Sequence, residues 1–174
     1  MRSETHAPVD APDARPVVAT IGYEGTTLPA LVEALQAAGV TLLVDVRAVA
    51  RSRRPGFAKS RLAAGLADAR IGYRHLRGLG TPADGRAAAR AGRHAAMQAI
   101  FREHLATAVA QADLAELAGL VAEQPVALLC FEADPRHCHR LLVAEALVEA
   151  LAEAPNAGAP VTVRHLYPDQ AAAD

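Results

Sequence analysis

The sequence predicts an α/β fold: a single three-layer domain with a mostly parallel sheet and helices on both faces. Three observations carry this. Short apolar runs alternate with longer stretches of helical period, the order that βα units produce. The runs Pro16 to Ile21, Thr41 to Val46 and Val126 to Phe131 are largely continuous in apolar character, as strands covered on both faces are. The chain has 174 residues, 52% of them hydrophobic, which suits one domain with a sizeable core.

Met1 to Arg15 is rich in Pro, Ala and Asp and reads as a loose tail, as do residues 169–174, so the domain is expected over residues 16–168. Pro16 to Ile21 is the first strand. Gly22-Tyr23-Glu24-Gly25 is a turn, and Thr26 or Thr27 caps a helix through about Ala38 that Gly39 ends. Thr41 to Val46 is the second strand. An arginine-rich loop follows from Arg47 to Phe57, broken by Pro55-Gly56, then a helix from Lys59 to Ala69 and a third strand from Ile71 to Leu76. Arg77 to Arg93 is rich in Gly and Arg and lacks a period, so it reads as a loop or lid. The stripe Met97, Ile100, Phe101, Leu105, Val109 predicts one helix from His94 to Ala110, and Asp113 is read as the cap of another ending at Glu123. Val126 to Phe131 is the fourth strand. Asp134-Pro135 has the N-cap and first-position signature of a helix running to Glu153. A turn over Pro155 to Pro160 leads to a last strand, Val161 to Leu166.

In a parallel sheet the carboxyl ends of the strands share one rim, where open α/β proteins bind ligands. That rim gathers Tyr23 and Glu24, Asp45 and Arg47, His75, and Cys130 and Glu132 from distant parts of the sequence. The densest stretch runs from Cys130 to Arg140. It holds both cysteines, two histidines, two arginines and two carboxylates.

Charge is unevenly spread. Arg47 to Arg102 holds thirteen of the eighteen basic residues and only two acids, a local excess of eleven positive charges. Such a segment attracts an anionic partner or simply forms a solvated face. No apolar run approaches the roughly 20 residues that span a bilayer, so no membrane partner is expected. The N-terminus carries Glu4, Asp10 and Asp13 without an apolar signal core, so a cytoplasmic protein with reduced, unbridged cysteines is expected.

Five segments carry a family likeness. They are Thr20 to Gly25, Leu43 to Arg47, Ser52 to Lys59, Gly72 to Leu76, and Leu129 to Glu132 continuing through Cys138-His139-Arg140. In this order they resemble the domain-of-unknown-function 488 family, over about Val17 to Ala150. The resemblance implies a compact α/β domain and no established reaction or catalytic residues.

Cys130 and Arg136 have the Cys-x5-Arg spacing of cysteine phosphatases, but Glu132 and Asp134 would repel a dianion and Pro135 offers no N–H. A rhodanese-like reading meets the same acidic loop. Cys130, His137, Cys138 and His139 are metal-ligand types, but their spacing is not a known zinc pattern and Cys138 reads as core, so no metal is assigned. What remains is a pair of carboxylates with arginines. Glu24 and Glu132 are the candidate acid and base. Arg47, Arg53 and Arg140, with His75 and His139, are candidate anion-binding groups, and Tyr23 and Phe57 are candidate stacking groups. A structural ion pair between Glu132 and Arg140 is the competing use of those two residues.

Two function classes follow. One is an enzyme acting on a nucleotide, nucleic acid or other phosphorylated anion. The other is a non-catalytic nucleic-acid-binding module. The residues identify neither a cofactor nor an oligomeric state.

Overall fold

The computed structural model describes residues 17–154 and 160–168. The expected tails, and all of the expected Pro155 to Pro160 turn except its last residue, lie outside the described residues.

Strands β1 (Val17–Gly22), β2 (Leu42–Asp45), β3 (Gly72–His75), β4 (Val126–Cys130) and β5 (Thr162–Leu166) form an all-parallel sheet in the order β3-β2-β4-β1-β5. Helices α1 (Leu28–Ala37) and α2 (Lys59–Asp68) cover one face, where Leu31, Leu35, Leu62 and Leu66 pack on Ile21, Leu43 and Leu129. Helices α4 (His94–Leu105), α5 (Ala108–Glu123) and α6 (His139–Glu153) cover the other, with Phe101, Leu117 and Val143 against Val18, Val44 and Leu128. The three-layer α/β architecture is the one predicted. Among the described residues no single helix is long and apolar enough to cross a membrane.

The connections through α1 and α2 step the sheet one way, from β1 to β2 to β3. The connection through α6 steps the other way, from β4 past β1 to β5, on the opposite face. Right-handed crossovers require this change of face when the direction reverses. Neighbouring strands β1 and β4 therefore send their chains to opposite faces, and a crevice opens at their carboxyl ends.

Three elements differ from the sequence expectation. The segment read as a loop from Arg77 to Arg93 contains a 3₁₀ turn (Arg77–Leu79) and a helix, α3 (Ala83–Arg90). Its buried stripe is Gly85 and Ala88, not large apolar residues, so it shows no hydrophobic period. A Cβ on Gly85 would lie 2.6 Å from Thr81 Cγ2 and 3.3 Å from Ile100 Cγ2, so the small residue lets α3 sit close against α4. The single helix expected from His94 to Ala110 breaks after Leu105. Thr107 in extended backbone caps α5, its Oγ1 accepting from Ala110 N at 3.4 Å. Asp113, expected as a cap, lies inside α5, and its carboxylate accepts from Gly78 N at 2.6 Å. The last helix begins at His139. Asp134 caps a 3₁₀ turn (Pro135–His137) instead, and Cys138 is extended at φ −126°, ψ 142°.

Candidate functional site

The β1–β4 ladder ends with Gly22 opposite Cys130. It continues for two residues as Tyr23 N donates to Cys130 O at 3.3 Å and Glu24 N to Phe131 O at 2.8 Å. Glu24 and Glu132 thus leave from adjacent strand ends. The chain after β4 then folds across β1. A Cβ on Gly22 would lie 1.9 Å from Glu132 O, so only glycine permits the crossing.

Two groups hold this crossing. Glu24 Oε2 accepts from Ala133 N at 2.9 Å. From beneath, the fully buried Arg140 donates to Glu132 O, to Ala133 O at 3.0 Å and to Thr20 Oγ1 at 3.4 Å. Arg140 therefore makes no ion pair with the Glu132 side chain, because the loop carbonyls take its donors first. The Glu132 carboxylate is left beside Cys130, with Oε2 3.5 Å from Sγ.

The end of β2 is a closed ion pair. Arg47 donates to Asp45 through Nε at 2.9 Å and Nη2 at 2.7 Å, and its backbone N donates to Oδ1 at 3.1 Å. Its Nη1 reaches Tyr23 Oη at 3.1 Å and Phe57 O at 2.9 Å, and Tyr73 Oη donates to Asp45 Oδ2 at 2.6 Å. Burial opposes the guanidinium charge, but Asp45 more than restores it, so the Arg47 pKa is raised. Burial and then Asp45 push the Tyr73 phenol up in the same way. With its donors and its charge answered inside the protein, Arg47 orients Tyr23. Tyr23 in turn stacks on Phe57 with ring centroids 4.5 Å apart and meets the edge of Phe131 at 5.2 Å.

Above these strand ends lies a cavity of about 380 Å³. Tyr23, Glu24 and Phe131 form one wall, Arg86, Arg90 and Met97 from α3 and α4 form the other, and Cys130, Glu132 and His139 form the floor. Of the sequence candidates, the cavity brings together Tyr23, Glu24, Arg47, Glu132 and His139. The other candidates lie outside its lining. Arg53 is exposed on the loop before α2. Phe57 is only 1% exposed behind Tyr23, and His75 donates from Nε2 to Arg47 O at 2.8 Å. Arg140 is under the loop.

Arg86, Arg90 and Phe131 also line the cavity, and sequence reasoning did not select them. Arg86 and Arg90 are four residues apart, which puts them on one face once Ala83–Arg90 is known to be a helix. Arg86 Nη1 donates to Thr81 O at 2.8 Å, and among the described residues no partner meets the exposed Arg90 guanidinium. Phe131 is 39% exposed and presents an aromatic surface.

The floor is the most perturbed part of the site. Cys130 Sγ lies 3.6 Å and Cys138 Sγ 4.0 Å from His139 Nδ1, while His139 Nε2 is 2.8 Å from Val46 O. Both cysteines are unbridged, as expected. The hydrogen bond with Cys138, reinforced by burial, pushes the Cys130 thiol up. Burial resists ionisation of Cys138, but hydrogen bonds with Cys130 and His139 outweigh it and bring that thiol down. Burial likewise resists protonation of His139, and Cys138 outweighs it and raises the imidazole. Burial, and then the charge on Cys138, pushes Glu132 up to about 7. Chemically, the arrangement offers two carboxylates, one uncommitted guanidinium and a set of soft donors around a single cavity.

A family model described as domain of unknown function DUF488 matches residues 27–147. The matched span runs from the cap of α1 into α6 and contains β2, α3 and the β4 loop. No curated protein and no solved structure matches the chain.

Proposed function

We propose that this chain, which belongs to the DUF488 family, is an enzyme that cleaves or transfers at a nucleotide or a similar phosphorylated small molecule. One observation carries the reading. A single cavity at the β1–β4 crevice contains both Glu24 and Glu132 and is faced by Arg86 and Arg90. Its volume, about 380 Å³, lies in the range that binds small molecules.

Each lining group has a role in this reading. Arg90, with no internal partner among the described residues, binds phosphate, and Arg86 adds positive potential beside it. Phe131 supplies a face for a base or ring. Glu132 stands at the floor, in position to give a proton to a leaving group. Glu24, on the neighbouring strand end, accepts one from the attacking water, so a single bond breaks between two carboxyl groups. Arg47 serves indirectly, by fixing Tyr23.

The test is a turnover assay on mononucleotides, dinucleotides and sugar phosphates, with products separated by chromatography. Product formation that Glu132→Gln abolishes without loss of fold supports the reading. If no small phosphorylated compound is bound or converted, while an oligonucleotide binds in a manner that Arg53→Ala weakens, the chain is a nucleic-acid-binding module instead.

A further inference from the structure

We propose that Cys130, Cys138 and His139 bind one zinc ion at the floor of the cavity, with the fourth coordination position open toward it. The inference stands apart from the reaction proposed above, and it concerns residues to which the sequence alone assigns no metal.

The geometry is close to what the ion requires. Zinc bonds of about 2.3 Å to sulfur and 2.0–2.1 Å to nitrogen place neighbouring donors of a tetrahedron roughly 3.5–3.8 Å apart. Here Cys130 Sγ and His139 Nδ1 are 3.6 Å apart, Cys138 Sγ and Nδ1 are 4.0 Å apart, and all three donors lie within 4.8 Å of one another. A movement of Cys138 Sγ toward both partners, by no more than about 1 Å, completes the fit.

The backbone explains why these donors converge. Cys130 ends β4, and His139 begins α6. Between them the extended backbone of Cys138 interrupts the helix, so residues 138 and 139 both turn toward Cys130 instead of pointing about 100° apart as successive helical residues do. All three are buried, at 6%, 3% and 5% exposure.

The imidazole supplies an independent pointer. A backbone carbonyl can only accept, so the 2.8 Å contact between His139 Nε2 and Val46 O puts the ring proton on Nε2. In the neutral ring, the form that binds a metal, Nδ1 then presents its lone pair to the two sulfurs. A carbonyl on the far nitrogen is the usual second partner of a metal-bound histidine. Two thiolates also cancel a divalent charge, so the filled site is neutral where charge is expensive.

A zinc set of two Cys and one His keeps a position for water or a substrate oxygen. Glu132 Oε2 lies 3.5 Å from Cys130 Sγ, and Glu132 lines the same cavity.

The experiment uses the whole chain, without an affinity tag, purified under reducing conditions, stripped by a chelator and titrated with cobalt(II) and then zinc. One cobalt per chain is expected, with an intense thiolate charge-transfer band and tetrahedral visible bands that one equivalent of zinc removes. Cys138→Ser and Cys130→Ser should lose the band. Glu132→Gln should keep the stoichiometry, and added azide should shift the visible bands through the open position. Circular dichroism separates loss of metal from loss of fold, and the wild-type spectrum alone decides if the cysteine variants do not fold. Weak octahedral bands, no thiolate transition with both thiols reduced, or loss of stoichiometry in Glu132→Gln would overturn the proposal.

Discussion

Arg140 and Arg47 are the two buried arginines among the described residues, and each of their side-chain nitrogens meets an internal acceptor. Arg140 holds the carbonyls of the loop that carries Glu132, so its value lies in placing that carboxyl group rather than in touching a ligand. Replacing it with Met removes the donor from the part-buried contacts to Glu132 O and Ala133 O. Arg140→Met should cost roughly 1–3 kcal/mol, from hydrogen-bond groups that lose their partner at the edge of the core. Chemical denaturation measures it, and a variant as stable as the parent would show that the loop is held by other contacts. The sequence shows such residues as charge but not their commitments. Arg47 finds Asp45 two residues away, Arg140 finds carbonyls seven and eight residues back, and Arg90 finds no internal partner among the described residues. That is why four candidates, Arg47, Arg140, Phe57 and His75, turn out to be internal supports, while Arg90 went unselected.

At the scale of elements, α3 decides whether there is a cavity or an open ledge. It is seated through Gly80, where a Cβ would lie 2.2 Å from both Ala48 N and Ala48 Cα. Gly80→Ala must push the segment before α3 away from the end of β2, and Arg86 and Arg90 would move with it. The expected result is a loss of about 1–3 kcal/mol of stability, the usual range for forced overpacking, and at least tenfold weaker binding of a phosphorylated ligand. Calorimetric titration of the variant provides the check, and unchanged affinity would mean that α3 does not set the site. The strands and the outer helices were legible because burial on two faces writes continuous apolar runs, and burial on one face writes a stripe. The α3 helix was not, because glycine and alanine make its contact by letting backbones approach and leave no hydrophobic period. The break at Thr107 was hidden for another reason. Asp113 looks like a cap in sequence, but tertiary structure uses it to hold Gly78.

For the molecule as a whole, parallel strands with their carboxyl ends on one rim followed from the alternation of elements. The strand order did not, since it depends on which faces the crossovers take. The order β3-β2-β4-β1-β5 makes β1 and β4 neighbours and brings the strand ends that carry Glu24 and Glu132 side by side. The proposed function requires a phosphorylated ligand to bind in the crevice between them and not on the exposed arginines of the Arg47 to Phe57 loop. Backbone amide chemical shifts, followed by NMR during titration with a mononucleotide, test this directly on an 18.1 kDa chain. The perturbed amides should cluster at Tyr23 and Glu24, Ala48 and Val49, Thr81 to Arg90, and Phe131 to Ala133. Shifts confined to Arg51 to Lys59, with the β1 and β4 ends unmoved, would put the ligand on the loop and rule out the crevice as its site.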